Sequence, residues 1–208
     1  MPEELPDKVG EAPRRPRSRR GEGDRLRTEI VNAAARMLAK TGDVGDMSLR
    51  SVAREVGVAA TSIYLHFGNL DELVLAVKIQ YLAEFGATLD EAADTAGDVP
   101  LARARARGRQ YVKYGLANPG SYWVMFSSEM LPKSLMPDGT YLGRGVFEAA
   151  RGDIAQAAGP DADADMLAVH FWTALHGIVT LRTSRSMFPW PDLDRQVDDL
   201  IDRLLEPS

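Results

Sequence analysis

In the stretch GVAATSIYLHFGNLDELV, residues 57–74, a phenol and an imidazole stand two positions apart at Tyr64 and His66, just after the small and hydroxyl side chains Ala60, Thr61 and Ser62. A phenol O–H and an imidazole N–H donate hydrogen bonds that suit phosphate oxygens. Upstream, in MSLRSVAREV, Arg50 follows Ser48 by two positions. Its guanidinium is a planar fork of donors that matches the O6 and N7 acceptors of a guanine edge. Further upstream, RRPRSRR places five arginines in seven residues, Arg17, Arg19 and Arg20 among them. Such a block is either a solvated tail or a contact for phosphates and the minor groove. The chemistry these groups share is recognition of a polyanion.

Helices must hold these groups. Leu26, Ile30, Ala33, Met37 and Leu38 recur at helical spacing over residues 24–40, which predicts an amphipathic helix. TGDVGD breaks it, and Ser48 can cap a second helix whose Leu49, Val52, Ala53 and Val56 fall on one apolar face. Gly57 suits a left-handed turn. A third helix is then expected from about Ala60 to Phe67, with Ile63 and Phe67 facing inward. That leaves Ala60, Thr61, Ser62 and Leu65 outside, flanked by Tyr64 and His66. Small outward residues let a helix enter a major groove about 12 Å wide, with the flanking donors at its phosphate walls.

The residues MSLRSVAREVGVAATSIYLHFGNLDELV resemble the helix-turn-helix of the TetR family of bacterial transcriptional regulators, and the resemblance runs from Leu26 to about Val77. It implies that Ser48, Tyr64 and His66 hold phosphates while Arg50, Ala60, Thr61 and Ser62 face base edges. Arg50 is the sharpest reader among them; the competing reading is a surface arginine paired with Glu55 or Asp46. Ala59 and Leu70 stand where the family usually has a polar cap and a lysine. The arm from Arg14 to Arg20 is expected to make up the missing phosphate contact. The family also implies a homodimer whose two heads occupy successive major grooves of a pseudo-palindromic double-stranded operator, about 34 to 36 Å apart.

Charge divides the chain in the same way. Residues 14–70 carry 11 Lys/Arg against 6 Asp/Glu, whereas the chain from Asp71 onward carries 13 against 20. A polyanion should therefore meet the N-terminal third. Residues 1–23 read as a flexible basic arm, 24–70 as the DNA-binding domain, 71–98 as a connecting helix, and 99–208 as a second helical domain. In that last part helices are expected from about Leu101 to Ala117, Tyr141 to Ala158, Asp165 to Ser184 and Leu193 to Leu205. Between the first two, SYWVMFSSEM carries three large aromatics. The expected fold is all-α, about nine helices without a strand.

WTALHGIVTL resembles the Trp-x-x-x-His-Gly signature of a C-terminal domain in one branch of that family, with Trp172, His176 and Gly177 at the matching places. The resemblance implies a domain that binds a small effector and forms the dimer. Candidate ligand contacts are Tyr111, Tyr114, Trp123, Phe126, Met130, Phe147, His170 and Trp172. Any single one of these is more often core packing than a ligand contact. His170 and His176 are six apart on one helix, on different faces, so no metal pair and no cofactor is expected.

Composition narrows the rest. The 208 residues contain no cysteine, which excludes disulfides and thiolate chemistry. The first residues lack the apolar core of a signal peptide and no apolar run approaches a membrane span, so a soluble cytoplasmic protein is expected. The function these features predict is a ligand-responsive regulator, a repressor released from its operator by a small apolar or aromatic effector. One rival is an architectural DNA binder with a solid C-terminal core. Another is an all-α enzyme using His170 or His176 with Asp165 or Glu129. No nucleophile elbow, phosphate-binding glycine loop or HExxH pattern supports an enzyme.

Overall fold

The structure, a computed structural model, describes residues 22–127 and 141–205. Nine helices and no strand occur among the described residues: α1 Glu22–Thr41, α2 Leu49–Val56, α3 Ala60–Tyr64, α4 Leu70–Thr95, α5 Pro100–Ala117, α6 Pro119–Phe126, α7 Arg144–Ala158, α8 Ala164–Ser184 and α9 Leu193–Leu205.

The head is α1 to α3 with the first turns of α4. Ser48 caps α2 through a reciprocal box, its Oγ accepting from the Ser51 amide at 3.1 Å while the Ser51 hydroxyl accepts from the Ser48 amide at 2.9 Å. Gly57 ends α2 at φ 76°, a left-handed conformation that a side chain would strain. Val52, Ile63, Phe67, Ile30 and Leu38 then close one core under the short α3.

α3 is shorter than its spacing predicts. It ends at Tyr64, and a turn carries the chain on, with the His66 and Phe67 amides both donating to the Ile63 carbonyl. The cause lies downstream. Asn69 caps α4 by accepting from the Glu72 amide at 2.9 Å, and the Glu72 carboxylate accepts from the Gly68 amide at 2.8 Å. This second reciprocal cap fixes the chain at Gly68, so α3 has no room for a further turn. α7 likewise starts at Arg144 instead of Tyr141, after Gly143 at φ 84°.

α4 joins head and body. Its Leu73, Val74 and Val77 pack beneath the head, and its Leu82, Phe85 and Leu89 face the body. The Tyr81 hydroxyl donates to the Ala35 carbonyl at 2.7 Å, and Gln80 donates to Asn32 at 2.9 Å, which ties α4 to α1. α5 runs through the body against α4, α6, α7, α8 and α9. Its ARARARGR run sends alternate arginines to opposite sides. Arg103 and Arg107 reach Asp153 of α7 at 3.0 and 2.8 Å, while Arg105, Arg109 and Lys113 meet Asp202, Asp198 and Asp194 of α9. Four-residue spacing on both antiparallel helices makes this a ladder.

One feature of α8 departs from the sequence reading. By length and composition this helix of 21 residues, with an 18-residue stretch of mean hydropathy 1.2, is apolar enough to cross a membrane. His170, Thr173, His176 and Thr180 interrupt its apolar residues, which is why no continuous run stands out. Ala168, Phe171, Leu175, Ile178 and Val179 pack into the body, Trp172 faces Phe147 while 43% exposed, and Met166, Val169 and Leu181 remain exposed on the outer side.

Candidate functional site

Two sites emerge, one on the head and one in the body. On the head, Arg50 is exposed and makes no ion pair or hydrogen bond with a described residue, so neither Glu55 nor Asp46 holds it. Thr61 is exposed and Tyr64 is 53% exposed, while Ala60, Ser62 and His66 are half-buried on the same short element. Ser48 is exposed although its hydroxyl is engaged in the α2 cap. Ala59 precedes α3 without a side-chain cap, leaving the first amides of α3 free of a side-chain acceptor. Gly23, at the start of α1, stands beside the His66 ring. The chain therefore enters the head next to the α3 face. Arg17, Arg19 and Arg20 lie outside the described residues.

In the body a cavity of about 410 Å³ lies among α4, α5, α6, α7 and α8. Its wall is apolar and aromatic. Leu82 and Phe85 come from α4, Tyr111 from α5, Phe126 from α6, Phe147 from α7, and Phe171 and Trp172 from α8. The rings pack edge to face, Phe85 on Tyr111 at 5.1 Å and Phe147 on Trp172 at 6.3 Å between centroids. Two cations also reach the wall, Lys78 of α4 and Arg107 of α5, each only 3% exposed. Arg107 is neutralised by Asp153 at 2.8 Å and Asp90 at 2.6 Å. Lys78 donates to the Ser127 carbonyl and meets no carboxylate among the described residues. Burial pushes its ammonium below the usual lysine range.

A hydrogen-bonded chain leads from the cavity wall into α8. The Tyr111 and Tyr122 hydroxyls are 3.1 Å apart, and the Tyr122 hydroxyl stands 2.6 Å from His176 Nδ1. Burial raises both phenols, Tyr111 to about 12, and lowers His176 below 6.5. Tyr111, Tyr122 and a neutral His176 thus form one continuous hydrogen-bonded chain.

Of the candidate ligand contacts, Tyr111, Phe126, Phe147 and Trp172 line the cavity and Tyr114, Trp123 and His170 do not. Tyr114 packs on Phe85 at 5.0 Å away from the cavity, Trp123 is 56% exposed beside Gly42, and His170 is on the outer side of α8. Met130 and Glu129 lie outside the described residues. His176 stacks on Tyr122 at 5.4 Å, and Asp165 pairs with Arg151. Neither forms an acid-base pair with the other.

The sequence reading missed Lys78 and Phe85. A signal was present, because Val74, Lys78, Leu82, Phe85 and Leu89 form one stripe at helical spacing. A lysine on that stripe has to be buried with its apolar neighbours.

A helix-turn-helix head on an all-helical body is the architecture of a DNA-binding transcriptional regulator. Residues 30–77 match the family model for bacterial regulatory proteins of the tetR family, and residues 104–206 match that for a tetracyclin repressor-like C-terminal domain. The chain belongs to the TetR family of transcriptional regulators. It is 44% identical over 52 residues to an uncharacterized HTH-type transcriptional regulator of Haemophilus influenzae, a match covering 25% of each chain. It is 28% identical over 128 residues to an HTH-type transcriptional regulator of Mycobacterium bovis, covering 59% of this chain and 52% of that one. The chain thus spans a quarter and about half of the lengths of these relatives. A solved structure of a protein of unknown function from Rhodococcus sp. RHA1 shares the fold, at a TM-score of 0.72 and 24% identity, over 86% of this chain and 93% of that one.

Proposed function

We propose that this chain is a soluble, cytoplasmic, homodimeric repressor that binds a pseudo-palindromic operator and is released by a small apolar or aromatic effector. The observation that carries the reading is that one helix, α4, walls the cavity with Leu82 and Phe85 and supports the head with Leu73 and Val77. A ligand that fits better when α4 is displaced shifts the distance between the two heads of a dimer. Its leverage is limited to its differential affinity for the two states.

On the DNA, Arg50 reads guanine, Thr61 and Ala60 offer methyl groups to thymine, and Ser48, Tyr64 and His66 hold phosphates. The uncapped start of α3 offers further amide donors. Arg17, Arg19 and Arg20 add contacts from the arm, whose attachment point at Gly23 is beside His66. A second copy covers Met166, Val169 and Leu181, apolar residues exposed on α8. Residues 24–70 form the DNA-binding unit, 71–98 the connector and 99–208 the effector and dimer unit.

Binding of the purified protein to duplex DNA from its own upstream region, titrated against salt and a random-sequence competitor, tests the reading. Preference for the upstream duplex with a steep salt dependence is expected. Equal binding to the competitor means an architectural binder, and no binding at low salt removes the nucleic-acid function.

A further inference from the structure

The geometry around Lys78 points to an effector with a carboxylate head on an apolar body; we propose that Lys78 is its anion-binding residue. This deepens the effector reading above and rests on it. The cavity is apolar and aromatic apart from two cations, and these two differ in kind. Arg107 already has Asp153 and Asp90 as counterions. Lys78 is equally buried, lines the same cavity, and among the described residues has only the Ser127 carbonyl as an acceptor. An ammonium has three donors, so two N–H groups meet no partner among the described residues.

A buried positive charge without a counterion is costly, and proteins normally pair it. Lys78 has Val74 and Leu82 one turn away on either side, both buried, so its stem follows the apolar stripe of α4 to the cavity. A monoanionic head that enters the cavity supplies the missing counterion and accepts the free N–H groups. The aromatic wall of Phe85, Tyr111, Phe147 and Phe171 then takes an aliphatic or aryl body. A neutral alcohol or ester of the same skeleton would leave the ammonium unpaired. A dianion such as a phosphate monoester would bring one charge more than Lys78 can match, because Arg107 is already neutral with its partners.

The position on α4 gives the contact a consequence. Lys78 lies between Val77, under the head, and Leu82, on the cavity, so a charge-assisted bond there acts on the segment that joins the two units. A head group that draws Lys78 away from the Ser127 carbonyl also loosens the tie between α4 and the end of α6.

The test uses the full chain and two sets of probes with matched skeletons, decanoic acid with decanol and methyl decanoate, and phenylbutanoic acid with phenylbutanol. Affinity is read by calorimetry on the wild type and on Lys78→Met, which keeps the volume and removes the charge. The wild type should prefer the acid of at least one set over its alcohol by about ten- to hundredfold, the range a charge-assisted hydrogen bond supports. Lys78→Met should lose that preference while still binding the alcohol. Equal affinity of acids and alcohols for the wild type overturns the inference without any need of the variant and leaves the effector reading standing. So does an acid preference that survives in Lys78→Met. Failure of all five probes to bind overturns the inference together with the effector reading, while the DNA-binding reading is scored separately by the upstream duplex.

Discussion

Gly120, in the first turn of α6, lies so close to the Ala39 carbonyl of α1 that a Cβ on it would stand 2.0 Å from the oxygen. This is a seat between the body and the head that only glycine permits, since the obstacle is backbone and cannot rotate away. Among the described residues, α6 and α4 make the main contacts of α1 with the rest of the chain beyond α2. Gly120→Ala should push α1 and α6 apart and cost about 1 to 3 kcal/mol, the usual cost of overpacking. Thermal unfolding should show a Tm lower by several degrees. An unchanged Tm would mean that the α1–α6 contact yields freely and does not register the head.

Arg50 and Tyr64 should separate in their effects. Arg50→Ala should relax preference at one operator position, at a cost of about 1 to 3 kcal/mol for the best base there. Tyr64→Phe should weaken all sequences alike and lower the salt dependence only slightly, since a phenol is uncharged. Competition binding against single-base operator variants measures both. Uniform weakening by both substitutions would make Arg50 a phosphate contact.

The Arg109–Asp198 rung of the α5–α9 ladder should show coupling in a double-mutant cycle. Both side chains are partly exposed, at 39% and 28%, so solvent screening limits the pair to about 0.5 to 1 kcal/mol. Added salt should reduce the coupling further. Independence of the two alanine variants would mean that this rung adds nothing to the hold of Val197, Ile201 and Leu205 on α9.

His176 gives stability a pH dependence with a defined sign. Burial lowers its pKa below 6.5, so the unfolded chain takes up a proton before the folded one does. The contribution of neutral His176 is fully present above about 6.5 and is lost as the pH falls through the folded-state value. Tm should therefore drop between about pH 7 and pH 5, and the drop should be shallower in His176→Gln. Identical slopes would show that the fall comes from other groups.

The fold was legible where periodicity and caps agree. Ser48, Gly57 and the Leu49–Val52–Ala53–Val56 face mark α2, and α9 occupies the span its apolar residues predict, Leu193–Leu205. α3 was overextended because the Asn69–Glu72 cap competes with it, a contest that the spacing of Ile63 and Phe67 does not reveal. In the cavity, aromatic type alone did not separate Tyr111, which faces inward, from Trp123, which faces solvent on the next helix. Which side of a helix is covered depends on its neighbours, and those are set by the tertiary arrangement. The aspartates that pair with α5 are as distant in sequence as Asp202, so nothing local to ARARARGR indicates its partners.

The most direct measurement is selection of bound duplexes from a random pool, followed by a footprint of the enriched sequence. The account predicts an inverted repeat whose half-sites are protected symmetrically, about one helical turn apart or near it, and lost when Arg50 is replaced by alanine. Enrichment of no sequence, or of a single unrepeated site that Arg50→Ala still binds, would contradict a dimeric operator reader.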